Sequence, residues 1–266
     1  MAFRDNSVLI STAATQAVTA NGDIDDVFNG AGGAVAFVVE NGEVGDDTFL
    51  NFGRDDSLIT GRKIFDGNND GFIAFGGNQV LDVNRTGGGT RNAGRDQFSL
   101  VGEGDNTITE IRYLGEKGGS HVYADSFALR TLFTEYGQAN VFEGTVNNDK
   151  ISMAGGAKVL LHDNALGLNL GSDTVSGFGS DDLFVTTSEL FDNTGNGIVT
   201  FGGNKVLDTS GATGPAATDP NTGPGGQVFF TGGITGLTFL GTTNVGGVDY
   251  FYYGTADTTV SPFAAA

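Results

Sequence analysis

The chain contains no cysteine, only four prolines and only two histidines. The absence of cysteine excludes disulfides, Cys-ligated zinc, iron–sulfur clusters and thiol catalysis. No stretch approaches the ~18 apolar residues of a membrane-spanning helix, so we expect no membrane span. Residues 1–18 lack a basic region followed by an apolar core, so we also expect no cleaved N-terminal signal.

The motifs of common enzymes are missing as well. The two histidines, His121 and His162, do not correspond between the halves of the chain, and no H-E-x-x-H or H-x-H pattern occurs. There is no G-x-S-x-G and no G-x-x-x-x-G-K-[ST], and the Gly-rich stretches lack the strand–helix context of a phosphate loop. We therefore expect no catalytic residue, with a paired-carboxylate hydrolase or lyase as the remaining enzyme alternative.

Positive charge is also scarce. Against 32 Asp and Glu stand 13 Lys and Arg, for a net charge of −19. Such a field repels nucleic acid and anionic membranes, so we expect no nucleic-acid partner. It also destabilises a compact fold unless cations neutralise part of it, and short Asp side chains in turns are suited to a hard cation such as calcium.

The residues that are abundant indicate a folded β protein. The chain has 45 glycines, which suit tight turns, and 21 phenylalanines, which supply apolar surface to bury. Short apolar or alternating runs are separated by turn sequences such as DGNNDG and FGGN, and this spacing predicts an all-β fold. In the first half the runs are 34–40, 48–52, 72–75, 79–83, 97–101 and 108–114.

One block of sequence occurs twice. Residues 45–82 align without a gap with residues 171–208, 126 positions later, and 18 of the 38 aligned residues are identical. The same offset continues from 108–115 to 234–241. We infer a tandem duplication of a Gly/Asp-rich β unit of about 125 residues, arranged as a β-solenoid or β-roll or as a sandwich.

Four segments are predicted: an N-terminal leader strand (1–15), β unit 1 (16–119), a helical linker (120–140), and β unit 2 with a C-terminal secretion or assembly tail (141–266). The linker contains DSFALRTLFTEYG, the one sequence that reads as a helix, with Asp125 or Ser126 as N-cap and Gly137 beyond its end. A shorter helical turn is predicted at 188–191, with a counterpart at 62–65.

The loop DGNNDG begins like a calcium loop. Asp66, Asn68 and Asp70 place oxygens on alternating residues of a turn, which predicts a calcium site. The twelfth position of an EF-hand is Gly77 here, so the loop is not an EF-hand. The second unit keeps Asp192 but loses the second carboxylate, which predicts a weaker site. The alternative in both units is an Asx-rich turn without metal.

Other aspartates form further candidate calcium ligands. In NGDIDD, Asp23, Asp25 and Asp26 are close together, with a solvated acidic turn as the alternative. Two more, Asp47 and Asp56, recur in the second unit as Asp173 and Asp182. Capping of a turn explains this recurrence as well as ion binding does.

Part of each unit resembles the region that flanks or follows the calcium-binding nonapeptide repeats of RTX-type secreted proteins. The residues that carry the resemblance are Asp173, Val175, Phe178, Asp182 and Phe184, and in the first unit Asp47, Phe49, Phe52, Asp56 and Leu58. The strict repeat G-G-x-G-x-D-x-U-x is absent; residues 21–33 and 147–156 are at most degenerate copies. The resemblance implies calcium binding and type I export through an uncleaved C-terminal signal.

These features predict an extracellular or cell-surface structural protein that self-assembles, with calcium, into a surface layer, sheath or filament. Its partners would be copies of itself, and the strand DYFYYG (249–254) either contacts a neighbouring copy or is a final strand buried between the two units. The first alternative is a calcium-dependent adhesin or carbohydrate-binding module that binds a cell-surface glycan through the divergent loops 83–97 and 209–226. An extracellular hydrolase or lyase is the second.

Overall fold

The computed structural model describes residues 14–18, 24–39, 45–83, 96–103, 108–209 and 225–262. These residues form two compact units, the N-terminal unit within residues 13–127 and the C-terminal unit within residues 128–266. The chain is 46% strand and 8% helix, which confirms the predicted all-β class. Within the described ranges, no helix is long and apolar enough to cross a membrane.

Within the described ranges, the N-terminal unit contains ten strands in two sheets. They are β1 (Ala14–Val18), β2 (Val27–Asn29), β3 (Val35–Val39), β4 (Thr48–Phe52), β5 (Ser57–Thr60), β6 (Phe72–Ala74), β7 (Leu81–Asp82), β8 (Gln97–Gly102), β9 (Glu110–Lys117) and β10 (Ser120–Asp125). One sheet has six strands in the order β1-β3-β5-β10-β9-β6, and the other has four in the order β2-β4-β8-β7.

The C-terminal unit repeats this arrangement strand for strand. Its strands are β11 (Val141–Glu143), β12 (Lys150–Ser152), β13 (Val159–His162), β14 (Asn169–Ser176), β15 (Leu183–Thr186), β16 (Ile198–Thr200), β17 (Leu207–Asp208), β18 (Gly225–Phe230), β19 (Gly236–Val245) and β20 (Val248–Gly254). The six-stranded sheet runs β11-β13-β15-β20-β19-β16 and the four-stranded sheet β12-β14-β18-β17. The order is therefore the same as in the N-terminal unit.

The first five strands of each unit form coils that alternate between the two sheets. β1 pairs in parallel with β3 and β3 with β5, while β2 pairs in parallel with β4. In these pairs, residues that face each other on neighbouring parallel strands are 21 positions apart in the sequence, as Val27 and Thr48 are. In the C-terminal unit the step is 18 residues from Val141 to Val159 and 24 from Val159 to Leu183. This part of each unit is a two-sheet β-solenoid.

The later strands extend both sheets, mainly by antiparallel pairing. β5 pairs antiparallel with β10, β10 with β9, and β9 with β6. In the four-stranded sheet β8 joins β4 in parallel, and β7 joins β8 antiparallel. Each unit thus combines a parallel coil with an antiparallel extension rather than forming a regular β-roll or an antiparallel sandwich.

The core of each unit lies between its two sheets. In the N-terminal unit, Phe37 of β3 meets Phe49 of β4 edge to face at 4.9 Å between ring centroids. β8 alternates half-buried and buried residues, as expected for a strand with one face on the core. β5 is buried at all four positions, because both faces of its sheet are covered there.

The C-terminal unit has a second apolar cluster on the outer face of its six-stranded sheet. It is formed by Ala128, Phe133, Val159, Leu161, Leu183, Val185, Val248, Tyr250 and Tyr252. A π-helical turn (Ala128–Leu132) and 3-10 turns at Thr134–Tyr136 and Gln138–Asn140 precede β11, and a further 3-10 turn (Asn164–Leu166) follows β13. These turns cover the sheet, so both of its faces are buried.

Several predicted boundaries differ from those observed. The predicted linker 120–140 is not a separate element, because Ser120–Asp125 is strand β10 and residues 128–140 belong to the C-terminal unit. Asp125 Oδ1 does accept the Phe127 N–H, but the helix is broken into short turns. No helical turn forms at 62–65 or 188–191. Of the predicted leader 1–15, residues 1–13 lie outside the described ranges.

Candidate functional site

Two of the recurring aspartates connect successive coils. Asp56 Oδ1 accepts the Val35 N–H (2.7 Å), 21 residues earlier, and Oδ2 accepts the Gly53 N–H (2.7 Å). In the C-terminal unit, Asp182 Oδ1 accepts the N–H of Lys158 and Oδ2 that of Gly179, both at 2.9 Å. Both carboxylates are 1% exposed. Each one satisfies backbone amides of two coils, which explains its recurrence without a metal ion.

In the other two recurring aspartates, Asp47 and Asp173, one carboxylate oxygen accepts a hydrogen bond and the other does not. Asp47 Oδ1 accepts the Asp26 N–H (2.8 Å), and Asp173 Oδ1 accepts the Asp149 N–H (2.9 Å). The other oxygen, Oδ2, is buried in both residues and has no hydrogen-bond partner. Burial, with added repulsion from Asp26 and other nearby carboxylates, raises the pKa of Asp47 to about 6. This buried oxygen is the group in the N-terminal unit that a bound cation would satisfy.

A row of side chains crosses the four-stranded sheet of the N-terminal unit at its solvent-exposed side. Asp25 Oδ1 accepts the Asp46 N–H (3.0 Å), and Asp46 Oδ1 accepts the Gln97 N–H (3.2 Å). In the C-terminal unit Asn148 Oδ1 accepts the Ser172 N–H (2.9 Å). The first of these two bonds recurs, but the carboxylates of the N-terminal row are replaced by neutral groups.

The DGNNDG loop is an Asx-type turn in which the carboxylates bind the loop's own amides. Asp66 Oδ1 accepts the Asn69 N–H and Oδ2 the Gly71 N–H, both at 2.8 Å. Asp70 Oδ2 accepts the Asn68 side-chain amide at 2.9 Å. These bonds close the loop on itself, as in an Asx turn.

The corresponding loop of the C-terminal unit is also closed by its aspartate. Asp192 Oδ1 accepts the Thr194 N–H (2.9 Å), and Oδ2 accepts the Gly197 N–H (2.7 Å). These hydrogen bonds, that from Thr194 first, lower the pKa of Asp192 to about 2. The hydrogen bonds of the turn thus favour the ionised form of the carboxylate.

The predicted calcium ligands therefore fall into separate groups. Asp25, Asp26 and Asp47 share one turn region of the N-terminal unit, Asp66, Asn68 and Asp70 form a second loop, and Asp56, Asp173, Asp182 and Asp192 serve other turns. Asp23 lies outside the described residues. Within the described residues, no three His, Cys, Asp or Glu side chains are grouped so as to hold a metal ion.

Sequence reasoning missed a buried His–Asp pair in the C-terminal unit. His162 Nε2 lies 3.8 Å from Asp173 Oδ2, both side chains are fully buried, and neither atom has a hydrogen-bond partner. His162 Nδ1 lies 3.0 Å from Asn164 Oδ1. Gly144 leaves room for the pair, because a Cβ there would come within 2.9 Å of Asp173 Oδ2. The position that corresponds to His162 in the N-terminal unit is Val39, an apolar residue in an otherwise similar strand.

Burial shifts the two groups in opposite directions. It raises the pKa of Asp173 to about 8 and lowers the pKa of His162 to about 4. At neutral pH both shifts favour the uncharged forms: the Asp173 carboxyl group is protonated and the His162 ring is neutral. In that state no net charge is buried.

We expect the free energy of unfolding to fall as the pH rises from 6.5 to 8. Asp173 keeps its proton in the folded state after the unfolded chain has lost it, so its stabilising contribution is greatest below the unfolded pKa and is lost as the pH approaches 8. Above pH 6.5, the neutral His162 no longer offsets this loss, which amounts to about 2 kcal/mol.

Denaturant unfolding at pH 6.5 and at pH 8 measures this change. Asp56, whose pKa burial raises to about 7, acts in the same direction. Asp173→Asn should remove the contribution of Asp173, so that the free energy of unfolding changes less between pH 6.5 and pH 8. Stability that increases over this interval would contradict the assignment of a protonated Asp173.

A tyrosine hydroxyl recurs as the acceptor for a loop amide. Tyr123 Oη accepts the Ile64 N–H (2.7 Å), and Tyr253 Oη accepts the Leu190 N–H (2.9 Å). Both tyrosines are 1% exposed or less. These bonds hold the segments for which sequence analysis predicted helical turns, 62–65 and 188–191.

Tyr253→Phe is expected to cost about 1 to 3 kcal/mol, because it leaves the buried Leu190 N–H without its acceptor. Thermal or denaturant unfolding measures this loss. Phe251→Leu, a change on the same strand that removes no hydrogen bond, is the control. An unchanged free energy of unfolding for Tyr253→Phe would show that the hydroxyl does not support the loop.

The aromatic strand DYFYYG is β20. Tyr253 and the half-buried Phe251 contribute to the core between the sheets, while Tyr250 and Tyr252 pack in the outer cluster under the helical turns. The strand is therefore buried within the C-terminal unit, and its aromatic faces are not a free surface. No protein-family model, curated protein or solved structure matches the chain.

Proposed function

We propose that the chain is an extracellular structural protein that self-assembles into a surface layer, sheath or filament. The observation that carries this proposal is exposed apolar surface at the first coil of the N-terminal unit, where Ile24 is 56% and Val27 66% exposed. Val27 lies on β2, the edge strand of its sheet. Exposed apolar residues on a strand edge favour association with another chain.

Calcium would stabilise the assembled protein in this proposal. A net charge of −19 opposes the close approach of copies, and bound cations reduce this repulsion. The residues best placed to hold an ion are Asp26 and Asp47, since the buried Asp47 Oδ2 has no partner. The loop of Asp66, Asn68 and Asp70 would be a second, weaker site, because its oxygens already bind the loop. Calcium would supply charge neutralisation and no chemistry, and no residue is catalytic.

The resemblance to RTX-type proteins supports an extracellular location. The two-sheet parallel coil agrees with it, and the step from β11 to β13 is 18 residues, the length of two nonapeptides. In this proposal the chain is exported by a type I system, and its main partners are copies of itself.

Sedimentation velocity of the purified chain, in calcium chloride and in EDTA, tests the proposal. We expect large, concentration-dependent species with calcium and smaller species with EDTA. Association that is the same in both would keep the structural role and remove calcium from it. A monomer in both conditions that binds on a glycan array would instead support the adhesin or carbohydrate-binding alternative.

A further inference from the structure

The outward surfaces of the two four-stranded sheets are equivalent in position. On the N-terminal unit, Phe28 and Phe49 pack on the core, so their neighbours Val27 and Thr48 point away from it. On the C-terminal unit, Ile151 and Val175 are in the core and their neighbours point outward in the same way. We name these surfaces the N face (Asp25, Val27, Asp46, Thr48, Gln97, Ser99) and the C face (Asn148, Lys150, Ser172, Thr174, Gln227, Phe229).

The strand register places one apolar residue on each face in the same cross-strand row. On the N face, Val27 pairs with Thr48, and Thr48 with Ser99. On the C face, Lys150 pairs with Thr174, and Thr174 with Phe229. Val27 is 66% exposed and Phe229 39% exposed. Each face therefore offers a large apolar side chain within a flat polar surface.

The charges of the two faces differ, because the N face carries more carboxylates and the C face carries a lysine. The neighbouring row on the N face carries the hydrogen-bonded carboxylates Asp25 and Asp46, and the C face has the neutral Asn148 and Ser172 in their place. The C face instead carries Lys150, which is exposed. The other basic residues after position 149 are Lys158 and Lys205. Lys158 is buried and donates to the carbonyl oxygens of its own turn.

The charge difference favours contact between the N face of one copy and the C face of another. Two N faces would bring two acidic rows together, and like charges in an interface are unfavourable. An N face against a C face brings Lys150 toward Asp25 and Asp46 and buries Val27 and Phe229. The row of Asp25, Asp46 and Gln97 ends at Asp82, and the corresponding row of the C face ends at Asp208. Since both rows end in an aspartate, this position does not contribute to the charge difference between the faces.

We infer that copies of this chain bind head to tail, with the N face of one copy on the C face of the next. Because the two surfaces are different, the contact is heterologous and propagates into a chain of copies or closes into a ring. This inference rests on the proposed self-assembly and assigns its interface.

Two charge-reversed variants test the pairing. Asp25→Lys places a lysine on the N face, where it would meet Lys150 of the next copy. Lys150→Glu makes the C face acidic, as the N face already is. At one fixed calcium concentration, each variant alone should need about tenfold more protein than the natural chain to form pelletable assemblies. An equimolar mixture should assemble near the natural threshold, since every contact in an alternating copolymer then joins opposite charges.

Controls separate this result from misfolding and from failure of the proposed function. Circular dichroism should show both variants folded, and Lys205→Glu, which reverses an exposed lysine outside the C face, should leave the threshold unchanged. If the natural chain assembles and the two variants assemble equally well alone, the face assignment is overturned while the structural role stands. A natural chain that never assembles overturns both. Variants that fail alone and also fail when mixed overturn the pairing of these two faces.

Discussion

Gly171→Ala is expected to reduce the free energy of unfolding by about 3 to 5 kcal/mol. Gly171 has φ +81°, where an L residue is strained, and a Cβ on it would overlap the backbone carbonyl of Asn147 in the preceding coil. Gly45, the equivalent residue of the N-terminal unit, has φ +89° and faces the carbonyl of Ile24 in the same way. Glycine is therefore required where one coil passes over another.

A matched variant separates steric overlap from backbone strain. Gly156 has φ +98°, but a Cβ there would have no atom within 4 Å, so Gly156→Ala should cost only about 1 to 2 kcal/mol. Denaturant unfolding of the two variants measures the difference. Equal losses would mean that the coils are not in contact at Gly171.

Asp182→Ala is expected to cost about 3 kcal/mol, the second-largest effect. The change removes the acceptor of two backbone amides, those of Lys158 and Gly179, which lie on different coils. A buried N–H without a partner costs about 1 to 3 kcal/mol, and nothing near the truncated side chain replaces the carboxylate. Asp56→Ala should have a similar effect in the N-terminal unit.

The neighbouring Asp181 provides the control. Its side chain is half-buried, and Asp181→Ala should change the free energy of unfolding by less than about 1 kcal/mol. Calcium should not alter the loss at Asp182, because both of its oxygens bind backbone amides. If added calcium stabilises the natural chain but not Asp182→Ala, this carboxylate is an ion ligand and the structural assignment is wrong.

The strands that sequence predicted best are those with one face on the core. The run 48–52 matches β4 (Thr48–Phe52) in full, and 97–101 matches β8 to within one residue. In the N-terminal unit, the strands β1, β2, β5 and β10 were missed. β5 is buried on both faces and so does not alternate, β2 is three residues long, and β10 was assigned to the linker. Local pattern does not reveal burial that comes from distant segments.

For the acidic turns, sequence identified the important residues but not their partners. The recurrence of Asp56 at Asp182 indicated a constraint, yet the amides they bind lie 21 and 24 residues earlier. That distance is set by coil length, which differs between the units and is visible only once the register is known. His162 did carry a signal, since it stands in an apolar strand where the first unit has Val39.

Electron microscopy of the purified chain tests the central claim most directly, that this is a self-assembling structural protein. Samples in calcium and in chelator would be negatively stained in parallel. The account predicts ordered sheets or filaments with calcium that dissolve when the ion is removed. Monodisperse particles in both samples, at concentrations well above those of the sedimentation experiment, would contradict it.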